Sequence, residues 1–317
     1  MPKPVLLDVD TGTDDALALL YAVAHPDLDL IGVSCVAGNS GLDQVVLNTL
    51  KVLDAAGATD IPVAAGANRP LLERARPEGQ FHGIDGLGGV ELPDTRRAVS
   101  PLSAIEMLHH QILESPQPVT LVALAPQTNI AMLLNLHPEV ADNLERIVFM
   151  GGSAGAGNVT AVAEFNVWQD PEAAACTIES GIPTAMYGLD VFTRLTVDQA
   201  TATRFDQHGH PATRLVGELL HRRGNRAAGV VQDYLGLIGD AGALVMLTNP
   251  ELFTVRSHPV RVNLAGLGRG QTIVDRRPYA QDAQARAADP WPTLEVALDL
   301  DADGAAAAFV NAIHLYG

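Results

Sequence analysis

Two cysteines in 317 residues, Cys35 and Cys176, exclude a disulfide framework and a thiolate zinc site; each lies in an apolar context that suits a buried, reduced thiol. Positive charge is scarce as well. Lys3 and Lys51 are the only lysines, 20 basic residues face 37 acidic ones, and the formal charge is −17. Such a surface repels phosphate backbones, so no nucleic-acid partner is expected, and a small neutral or cationic ligand suits it better. No apolar run approaches the length of a membrane span, and "PVLLDVD" begins without the apolar core of a signal peptide. These absences predict a cytoplasmic protein with no membrane contact.

What the chain does have is apolar content, 47% of its residues, enough to bury a large core. One domain over 1–317 is expected. Short apolar runs, "VLLDV", "LDLIGVSCVA", "IPVAAG", "VTLVAL", "RIVFMGG" and "IPTAMYG", alternate with helical patterns such as "TDDALALLYAVAH" and "SPLSAIEMLHHQILES". That alternation predicts an α/β fold, an open, mostly parallel, Rossmann-like sheet flanked by helices. Late in the chain, "RFDQHGHPATRLVGELLHRRGN" reads as polar helix, and "PVRVNLAG" to "QTIVDRR" as a hairpin. In such sheets ligands bind at the carboxyl ends of the strands, so the active site is sought there.

The first strand ends in "LLDVDTGTDDALAL", which places Asp8, Asp10, Asp14 and Asp15 within eight positions and includes no Lys or Arg. Crowded carboxylates repel one another and lose hydration when enclosed, so they need protons or a cation. A helix N-terminus accounts for Asp14 or Asp15 but not for all four. A hard divalent metal is the first expectation. Further polar residues follow the other strands: Asn39 in "AGN", the loop "APQTN", and "NVTAVAEFN" after a glycine-rich turn. His82 and Asp85 lie in "FHGIDGLGG". His109, His110, His208, His210 and His221 read as exposed residues without metal-site spacing.

Two rivals fit parts of this pattern. Asp8 and Asp10 match the start of haloacid-dehalogenase-type phosphatases, but that chemistry needs a positioned downstream lysine, and "GDAGALVM" lacks a second acidic residue. A non-catalytic binder of nucleosides or sugars is the other class.

The ordered set "DVDTGTDD", "VAGN", "FHGIDGLGG", "LAPQTNIA", "FMGG", "AVAEFNVWQDPEAA", "GLDVF" and "GDAGA" resembles the nucleoside hydrolases of the inosine-uridine type. The resemblance implies hydrolysis of the N-glycosidic bond of ribonucleosides by a Ca2+-dependent homodimer or homotetramer. It implies that Asp10, Asp15, Asp240 and the main-chain carbonyl of Leu124 ligate the calcium. Asp14, Asn39, Asn158, Glu164 and Asn166 would hold the ribose hydroxyls, and Asp10 would take the proton of the attacking water. Three positions depart from the family pattern. Thr11 replaces a proline, Gly239 stands where many members carry a histidine that assists the leaving base, and Thr193 stands at another histidine position. His82 and Tyr234 are the remaining candidates for helping the base depart.

Overall fold

The computed structural model describes residues 1–74, 82–83, 85–227, 236–278 and 290–316. In chain order the elements are β1 (Lys3–Val9), α1 (Thr13–Ala24), β2 (Leu28–Cys35), α2 (Leu42–Ala55), β3 (Val63–Ala65), α3 (Ala104–Glu114), β4 (Val119–Ala123) and α4 (Thr128–Leu136). There follow β5 (Leu144–Met150), α5 (Phe165–Gln169), α6 (Pro171–Ile178), β6 (Thr184–Tyr187), α7 (Leu189–Phe192), α8 (Gln199–Asp206) and α9 (Pro211–Ala227). The chain closes with α10 (Ala241–Thr248), β7 (Phe253–Val262), β8 (Thr272–Val274), β9 (Thr293–Leu300) and α11 (Ala302–Ile313).

One nine-stranded sheet runs β3-β2-β1-β4-β5-β6-β9-β7-β8. It is parallel from β3 through β9 and antiparallel only where β7 meets β9 and β8 meets β7. The six early strands and the late hairpin fall where the apolar runs place them. β4 is buried along its whole length and β1 from Pro4 onward, as a parallel strand with helices on both faces must be. α1 is buried from Thr13 to Ala22 because α2, α9, α10 and α11 all pack around it, which explains why its sequence is apolar on every side but the first turn.

Three details differ from the sequence reading. The polar helical stretch is two helices: α8, capped by Asp198, ends before Gly209, and Pro211 starts α9. β9 was not anticipated, although Leu294, Val296 and Leu300 show the period-two burial of a strand. Cys35 is buried as expected, whereas Cys176 is only partly covered.

The topology fixes where a site can form. From β1 the chain moves outward to β2 and β3, then returns to place β4 on the other side of β1 and continues to β5 and β6. The crevice between the carboxyl ends of β1 and β4 is therefore the switch point of the sheet. Asn129 ties the layers together behind it. Its Nδ2 donates to Asp8 Oδ1 at 2.8 Å and to the Cys35 carbonyl at 3.0 Å, and its Oδ1 accepts from the Ala67 N–H at 2.8 Å. Replacing it by leucine leaves three buried polar groups without these partners. Asn129→Leu is expected to lower the unfolding free energy by about 2–4 kcal/mol. An unchanged urea midpoint would show that these bonds carry no stability.

Candidate active site

The loop from Val9 to Thr13 turns β1 into α1, and its geometry is set by Asp15. Asp15 Oδ1 accepts from the Asp10 N–H at 3.2 Å and Oδ2 from the Gly12 N–H at 2.9 Å, so this carboxylate caps the helix and fixes the loop. Thr11 is fully buried, and its hydroxyl shares a 2.6 Å hydrogen bond with that of Thr49, a contact a proline could not make. Asn39, after β2, grips Asp10 with both its N–H (2.7 Å to Oδ2) and its Nδ2 (3.0 Å to Oδ1), and Nδ2 also lies 3.3 Å from Asp15 Oδ2. Gly38 makes the grip possible, since a Cβ there would sit 2.1 Å from Asp10 Oδ2.

Carboxylate oxygens of Asp14, Asp15 and Asp240 lie within 4.8 Å of one another, all three buried. Asp240 begins α10, yet its side chain makes no capping hydrogen bond, so the ordinary helix-cap reading does not describe it. The electrostatics follow from burial. Asp10 is pushed well above the ordinary carboxylate range by desolvation first, then by Asp15 and Asp14, against the pull of the Asn39 N–H. Asp15 is raised to about 7 by burial and by Asp14, and Asp8, fully buried between Ser34 and Asn129, to about 7 by burial alone. Amide donors supply only partial charge. A divalent cation among these oxygens would supply the rest, and the carboxylate donor set fits one. The cluster of Asp14, Asp15 and Asp240 points to that need.

From β4 the Leu124 carbonyl faces the same crevice and accepts from Asn166 Nδ2 at 2.9 Å, leaving its second lone pair available. Asn166 also donates to the Met150 carbonyl at 3.1 Å, so one amide spans the ends of β4 and β5. Glu164 is spent on backbone: it accepts from the N–H groups of Gly152, Asn166 and Val167, and burial raises its pKa to about 7. Asn158 stands exposed, with only its backbone N–H seen bonded, to the Ala163 carbonyl at 3.1 Å.

His82 is not a solvated loop residue. It is 7% exposed, and its Nδ1 accepts from the Thr13 hydroxyl (3.0 Å) and the Thr13 N–H (3.3 Å), with Asp14 Oδ1 at 3.6 Å. Its loop is pinned by Asn48, which donates to the Thr11 and Asp85 carbonyls, and by Arg222 of α9, which donates to the Gly88 carbonyl at 3.0 Å. Thr13 was invisible to sequence reasoning, since a threonine in a helix's first turn carries no signal of a histidine partner. Gly239 adopts φ +68°, and a Cβ there would lie 2.6 Å from Asp14 Cβ. A histidine at this position would have to displace Asp14. Thr193 is exposed and bonds to the Leu189 carbonyl, and Tyr234 lies outside the described residues. The two lysines pair elsewhere, Lys3 with Glu145 and Lys51 with Asp94, which removes the phosphatase reading.

Comparison with known proteins identifies the family. Residues 5–307 match the family described as inosine-uridine preferring nucleoside hydrolase. The chain is 41% identical over 277 residues to the pyrimidine-specific ribonucleoside hydrolase RihA of Citrobacter koseri, covering 87% of this chain and 89% of that protein. It is 38% identical over 319 residues to RihA of Salmonella arizonae, covering all of both. A purine-preferring ribonucleoside hydrolase from Gardnerella vaginalis shares the fold with a TM-score of 0.90 at 30% identity over 99% of each chain. A plant nucleoside hydrolase does so with a TM-score of 0.90 at 26% identity, again over 99% of each. Fold, site and relatives define an enzyme that hydrolyses nucleosides. The chain belongs to the inosine-uridine preferring nucleoside hydrolase family, and its reaction converts a ribonucleoside to ribose and free base.

The charge cluster generates a pH signature. Asp8, Asp15 and Glu164 keep their protons in the fold up to about pH 7, while in the unfolded chain they release them near about pH 4. Between those limits the folded state binds more protons. Their contribution to stability is therefore greatest below about pH 4 and is lost as pH rises through 7. A divalent cation favours the ionised forms and opposes that loss. The rise in Tm on adding a divalent cation to the chelator-treated protein is expected to be larger at about pH 8 than at about pH 5.5. Equal rises at both pH values would show that no cation neutralises these groups.

Proposed function

We propose that the enzyme is a Ca2+-dependent, pyrimidine-preferring ribonucleoside hydrolase, acting as a single cytoplasmic domain in a homodimer or homotetramer. The observation that carries the metal reading is the convergence of buried carboxylate oxygens from the start of α1 and the start of α10 at the switch point of the sheet. Carboxylates with one main-chain carbonyl form an all-oxygen set of the kind calcium takes. Asp10, Asp15, Asp240 and the Leu124 carbonyl would hold the ion, and Asp14 is close enough to Asp15 and Asp240 to share it. When bound there, the cation supplies positive charge that offsets the carboxylates and polarises oxygens placed against it.

The chain's own groups do the rest. Asp10 receives the proton of the attacking water, and Asn39 holds both its oxygens in place. Asp14, Asn39, Asn158, Glu164 and Asn166 form the ribose-binding side, and the surrounding carboxylates stabilise the positive charge that develops on the sugar as the base leaves. At the base, His82 and Tyr234 are the candidates to assist departure, and His82 is the one among the described residues. With Thr13 donating to Nδ1, the neutral ring carries its proton on Nε2, free of that contact. Pyrimidine preference rests on the RihA relatives, whose sequences are nearer than those of the purine-preferring structural neighbours.

Initial rates on uridine, cytidine and inosine, with calcium and with chelator, test this reading. Uridine or cytidine is expected to exceed inosine in kcat/KM by at least about tenfold, and chelator to remove turnover. Inosine at parity with uridine would refute the base preference, and full activity in chelator would refute the metal. Asp10→Asn is expected to lose about 10³-fold or more in kcat with the melting transition retained; near-normal turnover would remove Asp10 as the base.

A leaving group that needs no proton isolates the role of His82. p-Nitrophenyl riboside should be cleaved by His82→Ala nearly as well as by the parent enzyme, while uridine cleavage falls by about 10²-fold or more. Equal losses on both substrates would show that His82 positions the site and gives the base no specific help.

A further inference from the structure

A second cluster of side chains able to ligate a metal lies at the opposite, amino end of the central strands. α3 turns Ile105, Leu108 and Ile112 into the core and leaves His109 on its partly covered flank. α4 ends at Leu136, His137 forms its C-cap, and Pro138 starts a 3₁₀ turn that brings Glu139 round beside both helices. Asn143 Nδ2, donating to the Ile112 carbonyl at 3.1 Å, fastens that turn to the end of α3. The segments that follow α3 and this turn run into the amino ends of β4 and β5, so the trio sits away from the catalytic carboxylates.

His109 Nε2 lies 3.0 Å from Glu139 Oε1, and His137 Nδ1 lies 3.3 Å from the same oxygen. The two imidazoles are stacked, with centroids 4.0 Å apart and planes 28° from parallel. One ligand atom from each residue falls within 4.8 Å of the other two. We propose that His109, His137 and Glu139 bind a divalent transition-metal ion of the Zn2+ or Co2+ type, with solvent completing the coordination.

The spacing supports this. Bonds of about 2.0–2.2 Å in a tetrahedral site set neighbouring donors about 3.3–3.5 Å apart, so the two nitrogens need only small movements from Oε1. Each ring presents the required lone pair by moving its proton to the other nitrogen. The side chains are 28%, 32% and 51% exposed, open enough for an ion and a water to enter. Two imidazoles with one carboxylate select a borderline ion, whereas the all-oxygen set at the carboxyl ends of the strands suits a hard one. An ion here joins α3 to the connection between α4 and β5 and stabilises the fold by binding only its native state.

Chelator-treated full-length enzyme, held in millimolar Ca2+ to occupy the carboxylates, is titrated with Zn2+ by calorimetry and with Co2+ by visible absorption. The parent chain is expected to bind one Zn2+ and to show a Co2+ band. His109→Ala and His137→Ala should each weaken Zn2+ binding by about tenfold or more and lose the band. Uridine turnover of both variants should match the parent. Asp15→Asn should keep the Zn2+ site. Absence of Zn2+ binding below about millimolar Kd, unchanged affinity in both histidine variants, or loss of the Co2+ band in a folded Asp15→Asn enzyme would overturn the proposal.

Discussion

Mutual repulsion among buried carboxylates is the constraint around which this structure is arranged. Asp10, Asp14, Asp15 and Asp240 are withdrawn from water in the folded chain; Asp14 and Asp15 raise the cost of ionising Asp10, and Asp14 that of ionising Asp15. Every element near the switch point answers that cost. The Asp10 and Gly12 amides of the loop before α1 donate to Asp15, Asn39 donates twice to Asp10, and glycines at 12 and 38 remove the Cβ atoms that would block the approach. Helix dipole, amide donors and backbone permissiveness reduce the repulsion without cancelling it. The residual negative potential suits the crevice to the cation and the cationic ribosyl group of the proposed reaction.

The base end of the site is built on different terms. In the proposed site Asp10, Glu164 and Asn166 are each fixed by two or more hydrogen bonds, whereas His82 is held by Thr13 and by a loop clamped from α2 and α9. Gly239, at φ +68° and against Asp14, trades a side chain for closeness of two carboxylates. Members of one family can thus share ribosyl chemistry while differing in base, as the pyrimidine-specific and purine-preferring names among the relatives illustrate.

Much of this was legible in the sequence where a pattern is local. The parallel sheet showed in its fully apolar runs, and the aspartate cluster in its density, since four acids in eight positions have few bland explanations. Partnerships across the chain were hidden. Nothing in "TNIA" reveals that Asn129 braces Asp8 from 121 positions away, or that the Asn166 amide reaches the Leu124 carbonyl. His109 and His137 carry no metal-site spacing because α3, β4 and α4 come between them and the fold alone brings their rings together. Nor does residue type reveal that Asn39 holds Asp10 or that Glu164 holds the start of α5. Polar residue type identifies a site but not which of its members face inward on the scaffold.

The place of β9 in the sheet bears on how the enzyme is made. Synthesis delivers β1 to β6 in an order that lets each strand dock on one already present, but β7 and β8 emerge before the strand they need. β9 is the last strand of the chain, yet it lies between β6 and β7, so the hairpin has no seat until residues 293–300 arrive. A nascent chain that already contains all the residues of the carboxylate cluster is therefore still an open sheet with β6 as an unpaired edge, the kind of edge that invites association with other chains. Completion of the sheet waits for β9, which acts as the keystone of the biosynthetic order.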